Sequence, residues 1–239
     1  MNVKKASGEI EAFSEEKIRS SLQRAGANDN IINQIINQIK SQLYEGITTR
    51  KIYRQIFELL GKENLPIWQK YNLKEAIMAL GPSGYPFEKF VAGILAHYDY
   101  QTQTNQIIQG KCVSHEIDIV AQKDNQRLMV ECKFHNRAGL KTDIRVALYT
   151  YARYMDVNQN VQFCGAWLIT NTKITSQAID YANCVGLKIT SWDYPNDASL
   201  RLLINKSGLH PITCLNSLSR AELNRLLQKG IVFCHDIKS

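Results

Sequence analysis

Two short apolar runs carry charged side chains where a buried strand would ordinarily have none. They are His115-Glu116-Ile117-Asp118-Ile119-Val120-Ala121 and Met129-Val130-Glu131-Cys132-Lys133-Phe134, joined by the polar turn Gln122-Lys123-Asp124-Asn125-Gln126. Both runs are rich in β-branched or large apolar residues, and the pair reads as a hairpin. Successive side chains on a strand point to opposite faces, so Glu131 and Lys133 share one face and Cys132 takes the other. Asp118 lies across from them on the partner strand. Two carboxylates and an ammonium therefore converge at one end of a buried sheet. Keeping them there is costly unless a cation neutralises the carboxylates.

The chain has 239 residues, 44% hydrophobic and 21% charged, which suits one large or two small globular domains. Its formal net charge is +7, which favours a polyanionic partner such as DNA or RNA. Six cysteines are present without a CxxC, and no His pair stands at zinc-finger spacing, which argues against a structural zinc site. The start, Met1 to Ser7, lacks the apolar core of a signal peptide, and no run reaches the length of a membrane span. A reduced, cytoplasmic protein with no membrane partner is expected.

Around the hairpin the chain orders itself simply. Residues 3–13 read as a small hairpin turning at Ser7-Gly8. Four amphipathic helices follow: one capped by Ser14, one from Asn30 to about Leu43, one capped by Thr48 or Thr49, and one beginning near Pro66 and running through Trp68 to Leu80. Gly81-Pro82-Ser83-Gly84 marks a domain boundary. Next come a helix opened by Pro86, a strand near Tyr100–Ile108, the charged hairpin, and a helix from about Thr142 to Asp156. A buried strand over Phe163–Thr170, a helix over Ile174–Val185 and a strand over Leu187–Ser191 complete the core. The order αβββαβαβ implies helices packed on a central mixed sheet, an α/β (α+β) class. Residues 200–213 read as an amphipathic linker. Ser219 and Glu222 form a capping box for a last helix ended by Gly230. The expected domains are 1–83, 84–195 and 196–239.

Val3, Lys5, Gly8, Phe13, Lys17 and Ile18, with the later Tyr71, Lys74, Glu75 and Leu80, resemble the pattern of the ATP-cone, a nucleotide-binding regulatory module. The resemblance covers about the first eighty residues. It implies that Lys5, Gly8 and Lys17 meet the phosphates of ATP or dATP with charge and backbone N–H groups. The arginine usual in that motif is Ala6 here, which removes one phosphate-pairing group.

Over residues 85–192, Phe87-Glu88, Asp118 and Glu131-Cys132-Lys133 resemble the PD-(D/E)XK nucleases, specifically the Mrr-type restriction endonucleases. The resemblance implies a restriction-endonuclease-like fold and metal-dependent hydrolysis of DNA phosphodiesters. Asp118 and Glu131, with the Cys132 carbonyl, would hold Mg²⁺ or Mn²⁺. Lys133 would orient the attacking water and offset charge at phosphorus, and Glu88 would add an acidic ligand or hold water. Glu116 shares the strand face of Asp118 and is a further candidate ligand, while His115 faces the other way and is read as structural. Lys141, Arg145 and Tyr149 are candidate DNA contacts; relatives carry Gln-(x)3-Tyr where this chain has Arg145 and Tyr149. A homodimer would suit double-strand cutting. Two other readings remain: a nuclease fold that binds nucleic acid without turnover, and a nucleotide sensor acting on a protein partner.

Overall fold

The structure is a computed structural model that describes residues 1–5, 8–63, 67, 71–215 and 218–237. Ala6, Ser7, Pro66 and Trp68, which carry the expected turn, the motif departure and the start of the fourth helix, lie outside the described residues. Contacts group the chain into two compact units, Met1–Glu75 and Ala76–Ser239.

In the first unit, strand β1 (Asn2–Lys4) pairs antiparallel with β2 (Ile10–Ala12) and parallel with β3 (Ile47–Thr48). Helix α1 (Glu15–Arg24) is capped by Ser14, whose hydroxyl accepts from the Lys17 N–H. Helix α2 (Asp29–Ser41) is capped by Asn28 and buries Ile32, Ile35, Ile36 and Ile39, the i, i+3, i+4, i+7 stripe of an amphipathic helix. Helix α3 (Thr49–Glu63) opens with the Thr48 hydroxyl on the Lys51 N–H, and its Ile56 and Leu60 join Leu22, Val3 and Ile47 in one core. Helix α4 (Leu73–Met78) follows at the division between the two units.

In the second unit, helix α5 (Tyr85–His97) has Pro86 in its first turn. Its buried Phe87, Phe90, Val91, Ile94 and Leu95 sit under a five-stranded sheet. The strands are β4 (Gln101–Gln109), β5 (Ser114–Lys123), β6 (Gln126–Lys133), β8 (Gly165–Thr170) and β10 (Lys188–Thr190), in the spatial order β10-β8-β6-β5-β4. Strands β4, β5 and β6 run antiparallel; β6, β8 and β10 run parallel, so the sheet is mixed. Asp124 and Asn125 form the two-residue turn between β5 and β6, both with positive φ, as a type I′ hairpin requires.

The parallel half needs crossover helices. Helix α6 (Ile144–Val157), capped by Asp143, links β6 to β8, and α7 (Ser176–Val185), capped by Thr175 and closed by Gly186 at φ 75°, links β8 to β10. A minor parallel pair, β7 (Lys141–Thr142) with β9 (Lys173–Ile174), ties the two loops at the ends of β6 and β8.

Residues 200–207 are a helix, α8 (Leu200–Ser207), rather than a linker. Leu200 and Ile204 are buried one turn apart, and the Tyr98 hydroxyl donates to the Leu203 carbonyl at 3.0 Å. Helix α9 (Arg220–Gln228) starts with the expected capping box of Ser219 and Glu222. The chain then returns to α5, where Phe233 packs on Phe90 with ring centroids 4.9 Å apart. A Cβ at Gly93 would stand 2.4 Å from the Phe233 ring, so that contact needs glycine. The C-terminal segment is therefore part of this unit's packing.

Candidate active site

The β5–β6 ladder runs from Lys123↔Gln126 to Ile119↔Val130 and ends there. One position further, Asp118 stands opposite Glu131. The Asp118 Oδ2 accepts the backbone N–H of Cys132 at 2.7 Å, so a side chain replaces the next rung of the ladder. On its other edge β6 continues, pairing Glu131 with Leu168, Cys132 with Ile169 and Lys133 with Thr170. The three residues of the motif are thus carried by a strand held on both sides.

Beyond Lys133 the chain is clamped. The Asn171 side chain accepts the His135 N–H at 2.9 Å and donates to the His135 carbonyl at 2.8 Å. The Thr142 hydroxyl lies 2.9 Å from those of Thr170 and Thr172 and 3.3 Å from the His135 ring. Asn171 and all three threonines are buried. Buried polar groups of this kind must be matched to one another, and matched networks hold one geometry.

From α6, Arg153 reaches into the site. Its Nη1 donates to Glu131 Oε2 at 2.6 Å and to the Glu116 carbonyl at 3.0 Å, Nη2 donates to the Tyr149 hydroxyl, and the guanidinium lies 4.5 Å from the centre of the Tyr149 ring. The Arg153 and Glu131 side chains are 12% and 13% exposed, so this ion pair is largely removed from water. At the far end of α6, Asp156 accepts from the N–H groups of Cys112 and Val113 and lies 2.8 Å from His115 Nε2. A Cβ at Gly110 would sit 2.1 Å from Asp156 Oδ2, so glycine makes room for the carboxylate. The His115 hydrogen bond is the main reason Asp156 titrates down at about 2.

The electrostatics follow from the geometry. Burial pushes Glu131 up to about 7; the Asp118 carboxylate pushes the same way, and Arg153 and Lys133 oppose both. Burial likewise pushes Glu88 up to about 7, reinforced by Asp118 and Glu116. Asp118 is raised by burial against the Cys132 N–H and Arg153. Burial holds the Cys132 thiol far above its ordinary range, so the thiolate is not available as a ligand and only its carbonyl is.

Among the described residues, Asp118 Oδ1 and Glu131 Oε1 have no hydrogen-bond partner. Among those same residues no group of three or more His, Cys, Asp or Glu side chains is gathered closely enough to hold an ion. The full acidic set expected from the sequence is therefore not assembled: Glu116 is exposed, and Glu88 stands near enough to feel Asp118 without joining a ligand cluster. Two carboxylates and a carbonyl still suit Mg²⁺, which keeps several waters and relies on one or two carboxylates plus substrate phosphate oxygens.

Of the candidate DNA contacts, only Tyr149 adjoins this cluster, through Arg153, and it is 55% exposed. Arg145 is turned back onto Asp143, the cap of its own helix, with Nε to Oδ2 at 2.9 Å, and Lys141 is exposed on β7. Sequence reasoning missed Arg153 and Asn171. The signal for Arg153 was its place one turn after Tyr149 on the same helix face. For Asn171 it was an amide directly after the apolar run of β8.

In the first unit, Lys5 and Lys17 converge on one carboxylate, Glu11, at 2.9 and 2.8 Å, and Lys5 also meets Glu9 at 3.1 Å. Gly8 has φ 89°, a conformation that favours glycine. Among the described residues no helix is long and apolar enough to cross a membrane.

Comparison with known proteins agrees with this architecture. Residues 1–67 match the ATP cone domain, residues 82–196 the restriction endonuclease domain of the Mrr catalytic type, and residues 210–239 the AF1548-like C-terminal region. An uncharacterised protein of Archaeoglobus fulgidus is 44% identical over 149 residues, which span 62% of this chain and 84% of that one. The crystal structure of the protein of unknown function AF1548 superposes with a TM-score of 0.59 at 43% identity, over 64% of this chain and 82% of its own. A repair endonuclease from Pyrococcus abyssi matches at 12% identity and a TM-score of 0.36 over 46% of each chain, too slight a likeness to carry an argument. With 44% identity over 84% of the Archaeoglobus fulgidus relative, the chain belongs to the AF1548-like family; its own residues 1–67 match an ATP cone and its residues 82–196 a restriction endonuclease domain of the Mrr type.

Proposed function

We propose that this protein is a divalent-metal-dependent DNA endonuclease whose activity responds to ATP or dATP. The observation that carries the reading is the placement of Asp118 opposite Glu131, at a strand end shared with Lys133, in surroundings that suppress carboxylate ionisation. Asp118, Glu131 and the Cys132 carbonyl would hold Mg²⁺ or Mn²⁺, which when bound supplies Lewis-acid polarisation of the phosphate and an acidified water. Lys133, on a backbone fixed by the β6–β8 pairing and the Asn171 clamp after it, would orient that water and offset charge developing at phosphorus. Glu88, titrating near 7, can hold or pass on a proton at neutral pH. Tyr149, Lys141 and Arg145 would meet the DNA backbone, in keeping with the net charge of +7.

For the N-terminal unit, the convergence of Lys5 and Lys17 on Glu11 supports a phosphate site in which nucleotide would replace the Glu11 carboxylate. All six cysteines are unbridged, which supports placing the protein in a reducing compartment such as the cytoplasm.

The test is cleavage of single-stranded, duplex, nicked and modified DNA with Mg²⁺ or Mn²⁺. Activity should vanish in Lys133→Ala while DNA binding persists; no cleavage of any substrate would sink the enzyme reading. One observation favours a second reading. Arg153 already occupies Glu131, as it would in a nuclease fold kept for binding alone. Such a protein would bind DNA with a steep salt dependence and never cut it.

A further inference from the structure

Arg153 is the charged group in the site that the proposed chemistry leaves without a task. It comes from α6, not from the motif strands, yet it makes the shortest polar contact to a candidate ligand, 2.6 Å to Glu131 Oε2. Its arrangement is a compromise. The Nε–H is buried and has no hydrogen-bond partner among the described residues, while both terminal nitrogens are engaged. A guanidinium offers a planar fork that fits a carboxylate or a phosphate with two parallel hydrogen bonds, and here the carboxylate receives only one. Tyr149 lies under the guanidinium and meets Nη2; Tyr149 is 55% exposed, while the Arg153 side chain is 12% exposed. A phosphate arriving over Tyr149 would offer the fork a better match than Glu131 does.

From this geometry we infer that Arg153 is a resident counter-ion, which holds Glu131 against metal until a substrate phosphodiester draws it away. The inference rests on the metal-dependent reading above and deepens it. Metal and arginine compete for one carboxylate, so each weakens the other. The phosphate removes the competitor, so DNA and metal bind cooperatively, and by linkage the coupling runs equally in both directions. In this way the site would take up its ion chiefly when DNA is present.

The test is the affinity of the full-length protein for Mn²⁺ at pH 8, read by electron paramagnetic resonance of the free ion and independent of turnover. Arg153→Met should bind Mn²⁺ about tenfold more tightly than wild type, within the range of ordinary coupling energies. Arg153→Lys, which keeps a cation, should stay within about twofold of wild type, and Tyr149→Phe, which frees Nη2 to compete for Glu131, should bind Mn²⁺ more weakly than wild type. Repeating the titration with a short duplex in a Lys133→Ala background keeps the DNA intact. The duplex should then tighten Mn²⁺ binding about tenfold with Arg153 present and little in Arg153→Met. Equal Mn²⁺ affinity in wild type, Arg153→Met and Tyr149→Phe would overturn the inference, as would equal tightening by DNA with and without Arg153. If no variant binds Mn²⁺ even with DNA, the metal-dependent reading itself fails, which is a different result.

Discussion

Replacing Glu131 with glutamine should stabilise the metal-free protein at pH 8 while abolishing its chemistry. The Glu131 carboxyl titrates near 7 rather than at its ordinary 4.5, because burial and the facing Asp118 outweigh Arg153 and Lys133. Below pH 4.5 it is protonated in both folded and unfolded chains, and the variant and wild type should be equally stable. As pH rises from 4.5 through 7 the unfolded chain gives up its proton first, so the wild type loses stability across that window, and the loss is complete above 7. Each tenfold displacement of a proton equilibrium is about 1.36 kcal/mol, so a carboxyl moved from 4.5 to 7 costs the wild type about 3 kcal/mol at pH 8. Glutamine has the shape of the protonated acid, keeps an oxygen for Arg153, and avoids that cost. In a chain of this size the gain corresponds to a melting temperature higher by about 6–12 °C. The assay is thermal and urea unfolding in EDTA at pH 4.5 and pH 8, followed by circular dichroism. Added Mg²⁺ should narrow the gap at pH 8 by stabilising only the wild type. If the variant is less stable than wild type at pH 8, the Glu131–Arg153 pair is a net stabilising interaction and the account of a strained carboxylate is wrong.

Two further substitutions probe the supports of the site and the N-terminal unit. Asn171→Ala removes both hydrogen bonds to the His135 backbone and should cost about 3 kcal/mol, with a roughly tenfold fall in kcat at temperatures where the variant is folded; unchanged unfolding curves would remove Asn171 from the clamp. Glu11→Gln removes the carboxylate that Lys5 and Lys17 share, leaving Lys5 only its Glu9 partner, and should tighten ATP binding several-fold by calorimetry, whereas weaker binding would mean that Glu11 organises the lysines for nucleotide rather than competing with it.

The parts of the fold legible in the sequence are those set by local rules. The β5–β6 hairpin follows from alternating apolar residues around Asp124-Asn125, where only residues tolerant of positive φ fit a two-residue turn. The helix caps Ser14, Thr48 and Ser219 are where side-chain chemistry puts them. Asp118 and Glu131 stood out because charge in an apolar strand needs a reason. Helix α8 was passed over because its apolar stripe, Leu200, Leu203 and Ile204, is short, and its burial depends on α5, a hundred residues earlier. Strand β4, expected near Tyr100–Ile108 and found at Gln101–Gln109, was legible although it reads mostly as glutamine and threonine. It is an edge strand, so its pattern reflects solvent on one side rather than a core on both. Arg153 was hidden for a related reason. On a helix surface an arginine reads as solvated, and only the packing of α6 against the sheet turns it toward Glu131. Asn171 likewise gains its meaning from the parallel pairing of β6 and β8, a contact between residues 36 positions apart.

The central claim is that Asp118 and Glu131 share a divalent cation. Crystals of the protein with a short DNA duplex, prepared as Lys133→Ala and soaked in Mn²⁺, would answer it through anomalous diffraction at the manganese edge. The account predicts an anomalous peak within coordination distance, about 2.0–2.3 Å, of an oxygen from each of Asp118 and Glu131, with Arg153 moved off Glu131 onto the phosphate. A site with bound DNA, no anomalous peak and Arg153 still paired with Glu131 would contradict it.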